Sequence, residues 1–379
     1  MPAGNASDRR NLIRVMPAKG VPTAAQGSMN EGPATVRRLN ILLALMILAA
    51  ACGGEEDAAA PVTITLMAHD SFADSVGTET FADFTAETGH RVEVLASGDA
   101  GVMVNQAILT VDNPLADLMF GVDDTFLTRA VEAGIFQPFT SSALDSVPDG
   151  LRAAHDLVTP IDYGDVCLNY DKAAFSDALP PPADLTDLVE PVYTEMLVVE
   201  DPTVSSPGLA FLLATIARFG EDGWQEYWSG LEQNGALVAP GWTEAYYTEF
   251  SGAGEGDRPL VVSYASSPPA EVVFSETPLD EAPTGVITDG CYRQVEFAGI
   301  LAGAAHPGPA GELIDFMLSK PFQETIPLTW FVFPANEEAE LPAEFIEHTV
   351  QPTDPVQMDP ATIEANRQRW LEEWSDIFR

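Results

Sequence analysis

From Val62 onward, short runs of β-branched and apolar residues alternate with helix-forming stretches, and few folds can absorb that pattern. Residues 62–67 alternate strictly and read as a strand. Residues 80–88 read as a helix with Phe81, Phe84 and Thr85 on one face. A strand at 91–95, a helix at 101–109, a strand at 116–120, a turn at 121–124 and a helix at 126–133 follow. A second block repeats the theme: strands at 195–199 and 259–264, helices at 207–219 and 224–231. Two longer strand-like stretches, 162–170 and 292–301, flank that block. Helices at 311–318 and 361–378 close the chain, the last with Ile363, Trp370, Trp374 and Phe378 on one face. Such alternation predicts an α/β fold with mostly parallel strands. Ligands then bind at the carboxyl ends of strands, which singles out the loops after Met67, Leu95 and Phe120.

The chain has 379 residues, enough for two lobes once an export segment is set aside. Arg37 and Arg38 precede an apolar run from Leu39 to Ala51, broken only by Asn40 and ending in three alanines before Cys52. A basic start, a short apolar stretch and small residues make a signal peptide region over residues 1–51. The run is shorter than the ~20 residues that span a bilayer. Cys52 sits where a lipidated cysteine would, with Ala49 in the usual aliphatic place. Residues 1–28 fit no part of a signal peptide, Met29 gives a conventional start, and 52–61 read as a tether. These features predict an extracytoplasmic protein anchored to the membrane by lipid.

Net charge is −41, and six of the 17 basic groups lie within the first 51 residues, so the remainder is more acidic still. That surface repels phosphate backbones, so nucleic acid is excluded as a partner, and it favours small cations. Most of these carboxylates are explained by solvation alone. Cys167 and Cys291 both sit in strand-like stretches, and either a disulfide or two buried thiols would suit an exported protein.

Enzyme signatures are missing: no phosphate loop, no zinc-protease pair, no nucleophile elbow and no C-x-x-C. The five histidines (69, 90, 155, 306, 348) do not pair at metal-ligand spacing, so neither metal nor cofactor is expected. Tyr246-Tyr247 could hold a ferric ion as tyrosinates or form an aromatic strip. Ser206 suits a helix N-cap with Pro207 at the first helical position, which also makes an oxygen-binding helix start. Trp242 lies between a strand end and a helix start, and Tyr264 with Ser266 and Ser267 just follows a strand. Trp and Tyr faces near Asp70, Asp99 and Asp123 could enclose a flat cationic ring.

Eight ordered blocks carry a family resemblance: His69-Asp-Ser-Phe-Ala73, Gly121-Val-Asp-Asp124, Asp162-Tyr-Gly164 with Tyr170-Asp-Lys172, Asp201-Pro202 through Ser205-Ser206-Pro-Gly-Leu209, Gly241-Trp-Thr-Glu-Ala245, Ser263-Tyr-Ala-Ser-Ser-Pro268, Gln294-Val-Glu296, and Ile326-Pro327 with Trp330. In these the sequence resembles the thiamine-binding solute-binding proteins of bacterial ABC transporters. The resemblance runs from Val62 to Arg379. It implies a two-lobed type II periplasmic-binding-protein fold with hinge strands at 162–170 and 292–301. Residues 62–163 and 298–379 would form one lobe and 164–297 the other. It also sets Cys167 and Cys291 on neighbouring crossover strands, which favours their disulfide. The implied ligand contacts are Asp70, Ser71, Asp99, Ala100, Asp123, Ser205, Ser206, Trp242, Tyr264, Ala265, Ser266, Ser267, Pro268 and Trp330. Thiamine or a thiamine phosphate would be the ligand, a permease the partner, and a monomer the state.

The sequence departs from the family at His69, where an aromatic is usual, at Val76 in place of Trp, and at Ala100 in place of Gly. These departures leave thiamine, a phosphate ester and a pyrimidine fragment as ligand choices. The alternatives are a ferric-ion receptor using Tyr246 and Tyr247, and an enzyme acting on thiamine-like rings through Cys167 or a cleft serine.

Overall fold

A computed structural model describes residues 60–379; the export segment and Cys52 lie outside them. The first βα block holds β1 (Thr63–Ala68), α1 (Asp70–Ser75), α2 (Ala82–Thr88), β2 (Arg91–Ala96), α3 (Ala100–Leu109), β3 (Leu118–Asp123) and α4 (Leu127–Glu132). The long β4 (Thr159–Asp171) leads into a second block. That block holds β5 (Leu197–Glu200), α5 (Ser206–Phe219), α6 (Trp224–Gln233), β6 (Leu237–Ala239), α7 (Trp242–Glu244), β7 (Leu260–Tyr264) and α8 (Pro268–Val273). The longer β8 (Thr284–Ile300) returns to the first block. After it come α9 (Pro307–Met317), α10 (Lys320–Gln323), α11 (Ile326–Thr329), β9 (Phe333–Pro334), α12 (Ala343–His348) and α13 (Pro360–Ile377).

The strand order is β2-β1-β3-β8-β4-β7-β5-β6, with β9 on β4. Within each half the strands joined by helices run parallel, as right-handed βαβ crossovers require. β4 and β8 pair antiparallel along their whole length, from Thr159 opposite Ala298 to Asp171 opposite Thr284. β3 joins one end of this ribbon at Leu118–Ile300, and β7 joins the other at Val166–Tyr264. Two crossover strands therefore carry two lobes, which is the type II arrangement expected.

Alternation along each strand divides the core into layers. Ile64, Leu66 and Ala68 face α2 and α9 residues such as Phe84 and Leu313, while Met67 faces Met103 and Val104. α5 is buried from Ser206 to Ile216, which accounts for its unbroken apolar sequence. On α13, Ile363, Trp370 and Trp374 are buried as the periodicity predicts. That helix, assigned to the first lobe from sequence, packs on both halves. Trp374 meets Trp228 of α6 edge-on at 5.7 Å, and Arg367 lies over Phe126 ahead of α4.

Three local expectations are corrected. The turn expected at 121–124 is strand as far as Asp123, because Gly121 absorbs a bulge at φ +92° and lets the strand continue. The N-cap of α5 is Ser205, not Ser206, since Ser206 takes helical geometry and turns its hydroxyl to Asp123. β8 begins at Thr284, eight residues before the expected start, because the Asp289-Gly290 turn signal is a bulge inside the strand. Cys167 and Cys291 form a disulfide with Cα atoms 4.4 Å apart, joining the two crossover strands at that bulge. This removes the thiol alternative, and with it Cys167 as a nucleophile.

Candidate functional site

The carboxyl ends of β1, β2 and β3 meet those of β5 and β7 where β4 and β8 cross. Gly101 N–H donates to Val204 O across this junction at 2.8 Å, so the halves touch. Asp99 caps α3 by accepting from Ala100 N at 2.8 Å, and it packs against Gly241 of the other half, while the buried Ser205 hydroxyl is left without a protein partner. Asp123, fully buried, accepts from Thr125 N, Thr125 Oγ1 and Phe126 N through one oxygen. Its other oxygen takes Gln294 Nε2 at 3.0 Å and the Ser206 hydroxyl.

The aromatic walls are pinned by polar contacts. Trp242 Nε1 donates to Ser263 Oγ at 2.9 Å, and its ring stacks on Tyr246 at 5.1 Å and 15°. Tyr264 lies over Gly164, where a Cβ would come within 2.6 Å of the phenol ring, and its hydroxyl donates to Gln294 Oε1 at 3.3 Å. Trp330 Nε1 donates to Asp162 Oδ2 at 3.0 Å, and its ring meets Phe72 edge-on at 5.1 Å. A π-helical turn (Ala245–Glu249) presents Tyr246 and Tyr247 behind Trp242, as such turns often do at functional sites.

Not every expected contact joins this group. The exposed Asp70 uses its carboxylate on Gly98 N at 2.8 Å, tying the first two loops together. The Ser71 hydroxyl lies 2.8 Å from His69 Nδ1. Ala100 is the buried first residue of α3, while Ala265 packs on the disulfide and gives its carbonyl to Val350 N. Ser267 Oγ, 2.9 Å from Ser263 Oγ, supports Trp242 indirectly, and Ser266 and Pro268 are buried in the turn into α8.

Sequence reasoning named no role for His69, Asp162, Gln294 or Glu296. All four belong to the site. His69 Nε2 lies 3.2 Å from Glu296 Oε1, and Asp162 is the direct cross-strand partner of Glu296. The Gln294-Val-Glu296 alternation was the available signal, because period two places both polar side chains on one face of β8. Gly121 is also required by close approach: a Cβ there would sit 2.1 Å from His69 Cδ2.

The electrostatics follow from burial. Burial raises Asp123 to about 6 and Asp124 to about 7, and pushes Asp162 and Glu200 well above the carboxylate range. Burial also acts to raise Glu296, but His69 and the Asp162 hydrogen bond outweigh it and hold Glu296 low. Burial, then the charges of Glu296, Asp123, Asp162 and Asp99, drives the Tyr264 phenol well up. A sign check gives a prediction. The raised groups bind more protons in the folded state than in the unfolded one between roughly pH 4 and pH 7. Their stabilisation is present below about pH 4 and is lost as pH rises through 6 to 7, with Glu296 opposing within the site. The thermal midpoint of the ligand-free protein should be lower at pH 8 than at pH 5.5, and Asp124→Asn should flatten the difference. A midpoint that climbs over this interval would contradict the assignment.

Tyr246 and Tyr247 form an aromatic strip behind Trp242: Tyr246 donates to Glu271 Oε1 at 3.3 Å, and burial pushes both adjacent phenols up, Tyr247 to about 12. Among the described residues, no group of three or more His, Cys, Asp or Glu is placed to hold a metal ion.

A two-lobed α/β body, a polar and aromatic junction between the lobes, and a pair of crossover strands define a solute-binding protein that closes on a small molecule. The chain belongs to the bacterial extracellular solute-binding protein family, whose profile matches residues 113–358. It is 31% identical over 322 residues to the thiamine-binding periplasmic protein of Brucella suis biovar 1 (strain 1330), covering 82% of this chain and 91% of that one. The thiamine-binding periplasmic protein of Escherichia coli (strain K12) is 32% identical over 315 residues, covering 82% and 92%. Among solved structures, a periplasmic thiamin binding protein superposes with a TM-score of 0.75 at 28% identity, covering 84% of this chain and 96% of that one. Iron-bound HitA from Pseudomonas aeruginosa shares the fold at 20% identity and a TM-score of 0.67, covering 84% and 99%. Like these relatives, the protein binds and does not catalyse, and it works outside the cytoplasm.

Proposed function

We propose that this protein captures thiamine in the junction between its lobes and delivers it to an ABC transporter permease, held at the membrane by a lipid on Cys52. The observation that carries this reading is the cluster of carboxyls at the junction, Asp99, Asp123, Asp162 and Glu296, bordered by Trp242, Tyr264 and Trp330. Thiamine joins a permanently cationic thiazolium to an aminopyrimidine, so it matches buried carboxyls beside aromatic faces. Trp242 and Tyr264 face its rings. Ser205 and Ser206, at the start of the 14-residue α5, meet its hydroxyethyl tail or a phosphate ester of it. The names of the relatives support thiamine as the class of ligand.

Isothermal titration with thiamine, its mono- and diphosphate, and ferric citrate tests the proposal. One-to-one binding of a thiamine compound is expected, with no heat from ferric citrate. Binding of ferric citrate alone, or of none of the four, would overturn it.

A further inference from the structure

Asp162 on β4 and Glu296 on β8 stand directly opposite each other on the two crossover strands. Asp162 is fully buried and Glu296 is 8% exposed. As cross-strand partners they set their side chains on the same face of the ribbon, and burial and then the Glu296 charge push the Asp162 carboxyl well above the carboxylate range. Two like charges so placed and so buried are costly, and one proton held between them removes that cost. The surrounding donors say where it sits. Trp330 Nε1 donates to Asp162 Oδ2 at 3.0 Å, while buried Asp162 Oδ1 meets no protein donor. Glu296 Oε1 faces His69 Nε2. The imidazole Nδ1 is the acceptor that caps α1 through Phe72 N–H at 3.2 Å, which leaves Nε2 as the protonated nitrogen, 3.2 Å from Glu296 Oε1. This scheme leaves Asp162 Oδ1 as the protonated oxygen, donating to Glu296. Arg293 is committed elsewhere, since it chelates Asp165, and the remaining basic group is His69, which burial lowers but Glu296, Asp99 and Asp123 together raise.

We propose that the Asp162–Glu296 pair is the subsite for the positive charge of the ligand, and that capture of a cation discharges the proton the pair shares. This rests on the thiamine reading and deepens it. The empty cleft keeps the pair as a neutral acid beside one carboxylate, which limits the cost of two buried like charges. An incoming cation stabilises the doubly ionised pair, and the proton passes from Asp162 to solvent. The other groups facing the pair are His69 ahead of α1, Asp99 ahead of α3, Asp123 on β3 and Tyr264 on β7. Asp123, at about 6, is largely ionised above pH 7, while Asp124, at about 7, still titrates at the lower edge of the window, which makes Asp124→Asn the necessary control.

Titrate the protein between pH 7 and pH 8.5 with thiamine and with its uncharged hydroxymethylpyrimidine half, in buffers of different ionisation enthalpy. Wild type should release about one proton per thiamine and gain roughly tenfold in affinity per pH unit in that window. The neutral half should release none. Asp162→Asn keeps an acceptor for Trp330 and a donor for Glu296, so it should fold, lose the proton release and bind thiamine with pH-independent affinity. A matching thermal midpoint would verify that fold, and Glu296→Gln should likewise lose the release. Proton release that persists in Asp162→Asn, that vanishes instead in Asp124→Asn, or that is missing in wild type overturns the subsite while leaving thiamine binding intact. No thiamine binding by wild type at any pH removes the parent reading as well.

Discussion

Replacing Trp242 with alanine should weaken thiamine binding by about a hundredfold, because a buried aromatic anchor is typically worth 2 kcal/mol or more. The indole is prepared before any ligand arrives. Gly241 is extended at φ −171° and ψ 177° and packs so closely on Asp99 that a Cβ would fall 2.5 Å from Oδ2. The ring nitrogen is held by Ser263 at 2.9 Å. Tyr246 covers one face, and Tyr247 meets the ring edge-on at 5.4 Å. A ring so fixed loses little entropy on binding, so its contact energy goes to the ligand. The change should leave the fold intact, since Tyr246 still packs on Phe250 and Val261. Trp242→Phe should recover much of the affinity, which separates a ring surface from a hydrogen-bond role. Titration calorimetry of both variants decides it. Affinity within threefold of wild type for the alanine variant would make the indole a structural strut.

How much of this was legible beforehand depended on whether the information was local. The βα rhythm, the apolar stripe of α13 and the strand-end position of Tyr264 depend on near neighbours in sequence, and pattern reading reaches them. The Asp162–Glu296 pair depends on the register of two distant strands with bulges at Ile161 and Cys167, and no local pattern sets that register. His69 stands out in the sequence only as a replacement for the usual aromatic, and its contact with Glu296 becomes visible only with Gly121 bulging beneath it. β6 has three residues and the π-helical turn has no sequence signature, so both escape periodicity. Asp70 and Ala265 were named for their place in recognised blocks. The structure gives one to loop bracing and the other to the packing around the disulfide, because neighbours in sequence need not point the same way.

Removing the disulfide through the double change Cys167→Ser and Cys291→Ser should lower unfolding stability by about 2–5 kcal/mol. The bridge spans 124 residues of sequence, a long loop whose closure restricts the unfolded chain considerably. The two strands it joins are already paired along their length, so the native ribbon does not need the bond to hold register. Most of the loss should therefore arise in the unfolded state. Both sulfurs are buried with Ala265 and Val286, and two serines there add hydroxyls that must find partners, which places the loss toward the upper part of that range. Thiamine affinity should change by no more than a few fold, because Cys167 and Cys291 point into that separate cluster and not toward Asp99, Asp123 or Trp242. Denaturant titration with and without reductant measures the first effect, and calorimetry the second. A stability unchanged by reduction or substitution would mean that the paired strands alone constrain the hinge. A large affinity loss with modest destabilisation would mean that the bond holds the crossover strands in the spacing the ligand requires.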